Sequence, residues 1–328
     1  MATQQNTWAI VLAAGDGTRL ASLTTDDRGN AVPKQFCSLN GGPSLLHAAL
    51  RRARRIVPRG RVCAIVAQQH ERYWRSARWS LPARNVFIEP HNSGTAIGVL
   101  HGVLRILDRD PLARIVFLPA DHHVSCERLL ADTVRTAVTL LSRGHKELLL
   151  IGIAPDELDP ELGYIVPGAT ADESCRGVAL FVEKPTTALA SDLIARGAVW
   201  NSFIFAAHAS TLLALLRARM PEIVHGMTMA LVRDRRQGRG TAALDEFYEG
   251  LPTIDFSRSV VQDAAPVLRV LTAPACGWTD LGTPRRVARV IERLRRGASR
   301  RRGVAAKPRP VSAFINLSAQ YARLLAAS

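Results

Sequence analysis

Two patterns of hydrophobic and polar residues alternate along the first half of the chain. In the first pattern nearly every residue of a short run is apolar, which is typical of strands buried on both faces. These runs are 8–14, 61–67, 85–90, 113–121 and 147–155. In the second pattern apolar residues recur three or four positions apart, which predicts amphipathic helices. These segments are 44–57, 94–110 and 126–144.

This alternation predicts the fold class. Strands that alternate with helices form parallel sheets covered on both faces, so we expect an α/β fold with a mostly parallel, mixed sheet flanked by helices. After residue 155 the chain is richer in turns, with strand-like segments at 177–185, 199–205 and 267–273. The last residues predict a proline-bearing linker and a short C-terminal helical tail.

The first predicted strand ends in a turn with almost no side chains. The stretch VLAAGDGTRL (11–20) lacks the P-loop pattern G-x-x-x-x-G-K-[ST], and Leu20 breaks the dinucleotide-binding pattern G-x-G-x-x-G. Thr18 and Arg19 add a hydroxyl and a guanidinium to the backbone amides, a combination that suits phosphate groups. Asp121 ends another predicted strand, and ligands of such sheets lie beyond the carboxyl ends of the strands. The turn and Asp121 therefore predict one crevice.

Charge and composition narrow the function classes. The net charge is +15, but only four of the 43 basic residues are lysine and aromatic residues are 5% of the chain, which favours a small anionic substrate over nucleic acid. No apolar run reaches the roughly 18 residues of a membrane span. Five scattered cysteines without a C-x-x-C pair argue against a disulfide framework and fit a reducing cytoplasm. The basic run 285–303 predicts a solvated helix followed by a loose tail.

Several further motifs follow the glycine turn in a fixed order. They are VPKQF (32–36), EPHNSGTAIGVL (89–100), LPADHHV (118–124), ELGYIVPG (161–168), FVEKP (181–185), WNSFIF (200–205) and GWTDLGT (277–283). This ordered set resembles the sugar-phosphate nucleotidyltransferases. The P-K-Q-F form is most similar to the bacterial mannose-1-phosphate guanylyltransferases.

The resemblance implies a fold and a reaction. It implies a Rossmann-like domain of the nucleotide-diphospho-sugar transferase type over 1–290, with a nucleotide-binding part at about 1–150 and a sugar-phosphate part at about 151–290. Residues 291–328 would then be a basic linker and a C-terminal helix. The implied reaction joins GTP to mannose 1-phosphate, with Mg²⁺ as cofactor, and gives GDP-mannose and pyrophosphate. A homo-oligomer is left open.

The resemblance also implies roles for individual residues of this chain. The catalytic positions are Arg19, Lys34 and Asp121, and the metal-binding positions are Asp121 and Asp280. The nucleotide-binding positions are Ala13, Ala14, Gly15, Gly17, Thr18, Gly94 and Thr95. The sugar-phosphate-binding positions are Gly163, Glu183, Lys184 and Asn201.

Some positions depart from the pattern or have a simpler interpretation. The loop 92–98 differs from the common guanylyltransferase form, and Phe203 stands where a glycine usually follows W-N-S. These departures keep two alternatives open: a uridylyl- or thymidylyltransferase acting on glucose 1-phosphate, and a non-catalytic protein that binds nucleotide sugars. His122 and His123 lack a third ligand at zinc spacing and are interpreted as supporting residues. Trp200 and Trp278 are interpreted as core or wall residues.

Overall fold

The computed structural model describes residues 6–75, 81–172, 175–237, 240–300 and 315–327. The strands are β1 Thr7–Leu12, β2 Val62–Ala67, β3 Val86–Glu89, β4 Arg114–Pro119, β5 His123–Val124, β6 Leu148–Ile153, β7 Gly163–Asp172, β8 Cys175–Glu183, β9 Val199–His208, β10 Leu268–Ala273 and β11 Trp278–Thr279. The helices are α1 Ala21–Thr24, α2 Leu45–Ala53, α3 Glu71–Trp74, α4 Thr95–Leu107, α5 Glu127–Ser142, α6 Thr187–Ala195, α7 Ala209–Arg219, α8 Pro221–Gln237, α9 Ala242–Glu249, α10 Pro284–Arg300 and α11 Leu317–Ala327.

Nine of the described strands form one mixed sheet in the order β3-β2-β1-β4-β9-β6-β10-β8-β7. β1 pairs in parallel with β2 and β4, β2 with β3, and β6 with β10. β9 is antiparallel to both of its neighbours β4 and β6, and β8 is antiparallel to β10 and β7. All strands of this sheet except β8 and β9 therefore run in one direction, and the predicted α/β fold with a mostly parallel mixed sheet is confirmed.

Helices cover both faces of the sheet, as the buried strands predict. In β1, Ala9 and Val11 point into one core with α2, α5 and α10, while Ile10 points into the other core with α4, α7 and α8. All six residues of β2 and of β6 are buried, which explains their continuous apolar sequence. β1, β3 and β4 run in the same direction, so their carboxyl ends at Leu12, Glu89 and Pro119 meet at the same edge of the sheet.

A separate two-stranded sheet closes the edge where these strands end. β5 and β11 pair antiparallel, with Val124 opposite Trp278 and His123 opposite Thr279. This pairing holds the segment after Asp121 against the segment before Asp280. The two acidic residues of the predicted metal site are thus brought to the same edge.

The C-terminal region differs in part from its predicted form. α10 runs without a break through residue 290, because Val287, Val290 and Ile291 form a continuous buried face on it. The predicted boundary at 290 therefore falls inside a helix, and most of the predicted linker, 301–314, lies outside the described residues. The predicted C-terminal helix is present as α11, and the backbone of Ser38 bonds to Ile315 and Leu317 just before and at its start.

Two further observations concern the cysteines and the possibility of a membrane-spanning helix. All five cysteines lie in described segments and are free thiols. Within the described part of the chain, no helix has the length and apolar character that crossing a bilayer requires.

Candidate functional site

A cavity of about 360 Å³ opens beyond the carboxyl ends of β1, β3 and β4. A second cavity of about 190 Å³ adjoins it and shares Gly17, Arg19 and Asp121 with it. Every site residue predicted from the sequence lines one of the two. The first is lined by Ala13, Ala14, Gly15, Gly17, Arg19, Gly94, Thr95, Asp121, Gly163, Glu183, Lys184, Asn201 and Asp280, and the second adds Thr18 and Lys34.

The glycine turn after β1 packs closely against the backbone of Lys34. Gly17 has a φ of +68°, and a Cβ there would lie 2.8 Å from the backbone nitrogen of Lys34. A Cβ on Gly15 would meet nothing within 4 Å, so its backbone faces open space. Gln35 fixes the turn, since its Nε2 donates hydrogen bonds to the carbonyl oxygens of Ala13 at 2.9 Å and Gly15 at 2.7 Å. The turn therefore presents exposed backbone to the cavity.

Lys34 connects the two acidic residues. Its Nζ lies 2.8 Å from Asp121 Oδ2 and donates a hydrogen bond to the backbone oxygen of Asp280 at 2.6 Å. Burial by itself would raise the pKa of Asp121, but the ammonium of Lys34 and the ring of His122 lower it to about 2. Asp121 is therefore ionised throughout the neutral range.

Asp280 lies deeper in the same site and is only 4% exposed. Its Oδ1 accepts hydrogen bonds from Arg286 Nη1 at 2.6 Å and from the backbone nitrogen of Gly282 at 3.0 Å. Burial opposes ionisation, yet His122, Arg286 and Lys34 together keep the pKa of Asp280 below its usual value. Both carboxylates are thus charged and line one cavity.

This pair of acids has the donor chemistry that Mg²⁺ prefers. Mg²⁺ takes oxygen ligands and is usually held by one or two carboxylates together with substrate phosphates. Asp121 and Asp280 fit that pattern. In the described ranges no group of three or more His, Cys, Asp or Glu side chains is arranged around a common point, which is the arrangement a metal held by protein alone would need.

The two histidines after Asp121 do not carry charge near neutral pH. Burial lowers the pKa of His122 and of His123 to about 4. The ring of His122 packs edge-on against Trp278, 5.2 Å between centroids, and its Nε2 lies 3.6 Å from Asp121 Oδ1. Trp278 and Trp200 are 7% and 3% exposed, so their prediction as core or wall residues is confirmed.

The opposite wall of the cavity is formed by β7, β8 and β9. A Cβ on Gly163 would lie 2.4 Å from Glu183 Oε2, so only glycine leaves room there for this carboxylate. Burial and the neighbouring Asp255 raise the pKa of Glu183 to about 7. Asn201 Oδ1 accepts a hydrogen bond from the backbone nitrogen of Phe203 at 3.1 Å.

Two residues of this wall hold uncommon backbone conformations. Lys184 and Phe203 have φ values of 50° and 57°, in the left-handed region that glycine adopts without strain. The conformation of Phe203 explains why glycine suits the position after W-N-S. Here the phenylalanine ring stays in place through edge contacts with Phe205 and Phe256.

The far end of the cavity lies at the start of α4. Gly94 has a φ of +92°, and a Cβ there would lie 2.4 Å from the backbone oxygen of Ile254. Thr95 Oγ1 accepts a hydrogen bond from the backbone nitrogen of Phe256 at 2.8 Å. The segment around 254–256, which no sequence pattern marks as part of a site, therefore holds this loop in position.

Glu89 was not predicted, yet it forms part of this end of the cavity. It is 1% exposed and its Oε1 accepts a hydrogen bond from the Tyr248 hydroxyl at 2.9 Å. Burial raises the pKa of Glu89 to about 8, so it is protonated near neutral pH. The sequence did contain a signal for Glu89: it directly follows the apolar residues 86–88 of a predicted buried strand. A carboxyl at the end of such a strand is expected to be buried.

Comparison with known proteins places this chain in a family. The sequence pattern of the nucleotidyl transferase family matches residues 8–296. The chain belongs to this family. The matched range contains every residue that lines the two cavities and reaches into α10.

Individual relatives carry more specific names. The alginate biosynthesis protein AlgA of Pseudomonas aeruginosa is 27% identical over 285 residues, which are 84% of this chain and 56% of that protein. A mannose-1-phosphate guanylyltransferase of Salmonella muenchen is 26% identical over 287 residues, 84% of this chain and 57% of that protein. The chain thus spans little more than half the length of these relatives.

Solved structures show the same fold. One from Thermus thermophilus, named mannose-1-phosphate geranyltransferase, has a TM-score of 0.72 and 32% identity over 87% of this chain and 79% of that chain. UDP-glucose pyrophosphorylase in complex with UDP-glucose has a TM-score of 0.58 at 10% identity, covering 89% of this chain and 99% of that chain, and shares the fold alone.

Proposed function

We propose that this protein transfers the nucleotidyl group of GTP to mannose 1-phosphate, giving GDP-mannose and pyrophosphate. The observation that carries the proposal is the meeting of two ionised carboxylates, Asp121 and Asp280, with Lys34 and Arg19 at two adjoining, glycine-lined cavities. The choice of GTP and mannose 1-phosphate is supported by the name of one relative, a mannose-1-phosphate guanylyltransferase that is 26% identical to this chain over 287 aligned residues.

The proposed step is an in-line displacement at the α-phosphorus. A phosphate oxygen of the sugar phosphate forms the new bond to the α-phosphorus, while the bond to the oxygen bridging the α- and β-phosphates breaks. Pyrophosphate leaves with that electron pair. The attacking phosphate is already anionic near neutral pH, so no side chain has to remove a proton. The obstacle is repulsion between two polyanions, which the site must offset by positioning and by positive charge.

The chain's cations lie where they can meet this charge. Arg19 lines both cavities with a half-exposed side chain, 4.0 Å from Glu161, and would bind phosphate oxygens there. Lys34 is buried beside Asp121 and orients that carboxylate. Asp121 and Asp280 would hold Mg²⁺, which when bound supplies positive charge to the phosphates.

The remaining contacts divide between the two substrates. The exposed backbone of 13–17, together with Gly94 and Thr95, suits the nucleotide. Glu183 and Asn201 present oxygen acceptors to sugar hydroxyls, and Lys184 adds a positive charge near the sugar phosphate. A reducing cytoplasm, the proposed location, suits the five free cysteines.

The test is pyrophosphate release over a grid of GTP, UTP, dTTP, ATP and CTP against mannose 1-phosphate and glucose 1-phosphate, with Mg²⁺. We expect the highest kcat/KM for GTP with mannose 1-phosphate. Turnover with UTP or dTTP and glucose 1-phosphate, but not with GTP, would establish the alternative specificity. No turnover for any pair, combined with nucleotide binding that does not depend on Mg²⁺, would establish a non-catalytic binding protein instead.

A further inference from the structure

Arg286, in the first turn of α10, lies in a cluster of three carboxylates. It is 5% exposed, and its Nη1 lies 2.6 Å from Asp280 Oδ1. Its Nε lies 2.9 Å from Glu157 Oε1, and its Nη2 lies 2.7 Å from Asp159 Oδ2. All three nitrogens of the guanidinium therefore face acidic oxygens. The predicted solvated helix 285–303 is wrong for this residue, because α10 turns it inward.

These contacts connect the metal side of the cavity to the sugar side. The Arg286 guanidinium lies 5.2 Å from the ring centroid of Trp200, the residue before Asn201 in β9. The backbone oxygen of Asp159 accepts a hydrogen bond from the Tyr164 hydroxyl at 2.9 Å, and Tyr164 follows Gly163 in β7. One side chain thus contacts a predicted metal ligand, Asp280, directly. Through Trp200 and Asp159 it is also connected to the strands that carry two predicted sugar contacts.

The contacts at Asp280 also orient its two oxygens. Both hydrogen bonds, from Arg286 and from the Gly282 backbone, go to Oδ1. Oδ2 has no hydrogen-bond partner among the residues that the structure describes. A planar guanidinium can hold several carboxylates in fixed directions at once, whereas the ammonium of lysine is a point charge without such a fork.

We propose that Arg286 is a positioning residue that fixes the Asp280 carboxylate through Oδ1, which leaves Oδ2 available to a bound metal, and that it holds the sugar-binding strands against this carboxylate. This proposal rests on the proposed function for its kinetic part. Its effect should fall on metal and sugar phosphate and spare the nucleotide, because none of the Arg286 contacts reaches the glycine turn or the start of α4. A residue that merely stabilised the fold would alter all three alike.

The test compares Arg286→Lys with Arg285→Lys. Arg285 is an exposed neighbour that also contacts Glu157 but not Asp280, and it makes a matched control. Partners that orient a metal ligand typically contribute 10- to 100-fold in metal affinity. In R286K we expect the half-saturating Mg²⁺ concentration to rise about tenfold or more and the KM for mannose 1-phosphate to rise with it. The KM for GTP should stay within about twofold of wild type, and R285K should match wild type in all three values.

A second readout does not depend on turnover. Mn²⁺ titration in the presence of GTP and without sugar phosphate, followed by the electron paramagnetic resonance of the free ion and corrected for the Mn²⁺ that GTP binds by itself, should show weaker binding to R286K than to wild type and R285K. Unchanged Mn²⁺ affinity in R286K refutes the positioning role, as does an equal rise of all three kinetic constants. Wild type that fails to bind Mn²⁺ refutes it too.

The design separates the two proposals. If wild type turns over none of the substrate pairs, the proposed function fails, while the Mn²⁺ comparison still decides the role of Arg286. Should R286K not fold, Asp159→Asn removes one of the three charges around Arg286 and keeps the guanidinium. A smaller rise in half-saturating Mg²⁺ and in Mn²⁺ dissociation constant is then expected, and wild-type values would overturn the proposal.

Discussion

Replacing Glu89 by glutamine should stabilise the protein near neutral pH and should stabilise it less near pH 5. The carboxyl is buried at the end of β3, and burial raises its pKa from 4.5 to about 8. In the unfolded chain the same group is ionised above its ordinary pKa. Folding near pH 7 therefore requires Glu89 to take up a proton, which costs free energy.

The sign and size follow from linkage. A raised folded-state pKa gives a contribution to stability that is fully present below pH 4.5 and is lost as the pH rises toward 8. Each pKa unit corresponds to about 1.4 kcal/mol, so the proton uptake costs about 3 kcal/mol near pH 7 and about 1 kcal/mol near pH 5. Glutamine avoids this cost because its amide does not ionise. It keeps the shape of the protonated acid, and its Oε1 can still accept the hydrogen bond from Tyr248.

The assay is urea unfolding followed by tryptophan fluorescence at pH 5 and pH 7 for wild type, Glu89→Gln and Glu249→Gln. Glu249 is an exposed residue at the end of α9, next to Tyr248, and serves as the control. The gain in free energy of unfolding for E89Q over wild type should be about 2 kcal/mol larger at pH 7 than at pH 5. An equal difference at both pH values, or a pH-dependent one in E249Q, would show that the reasoning about burial is mistaken.

Further substitutions test the site. Asp121→Asn or Asp280→Asn should each lower kcat by about 100-fold or more while the circular dichroism spectrum is retained, since each removes the charge of a proposed metal ligand. A fully active variant contradicts the proposed metal assignment. Gly15→Ala should lower activity without altering thermal stability, because the added Cβ meets no protein atom within 4 Å. Gly17→Ala should lower both activity and thermal stability, because its Cβ would lie 2.8 Å from the backbone nitrogen of Lys34. Equal melting temperatures for the two variants would disprove this. Phe203→Gly should be about 1 kcal/mol more stable than Phe203→Ala, because the backbone φ of this residue is positive. Chemical unfolding measures both stabilities, and an alanine variant more stable than the glycine variant would exclude backbone strain at this position.

The sequence was sufficient to predict the strands that are buried on both faces. β1, β2, β4 and β6 lie within about two residues of the predicted runs, because each strand has apolar residues on both sides. The insertion of β9 between β4 and β6 could not be predicted. The position and direction of β9 depend on its pairing with strands that are distant in sequence. The local pattern of residues 199–208 does not indicate which strands these are.

The residues of the site also divide into those that the sequence could predict and those that it could not. Positions at strand ends, such as Asp121 and Glu183, were predictable because the fold brings strand ends together and the family motifs mark them. Gln35, Glu89 and Arg286 were not, since their roles come from contacts remote in sequence. Arg286 illustrates the reason: it stands in a run of arginines typical of a solvated helix, and its partner Glu157 is 129 positions away.

The pairing of β5 with β11 has a consequence for synthesis of the protein on the ribosome. Lys34 reaches Asp280 across 246 positions of the chain, and the two-stranded sheet that aligns them forms only when both segments have emerged. A nascent chain that has released its first half carries the glycine turn and Asp121 but lacks the second acid. Because chains emerge from the amino terminus onward, the complete site is assembled only after the segment around Asp280 has left the ribosome and β5 has paired with β11.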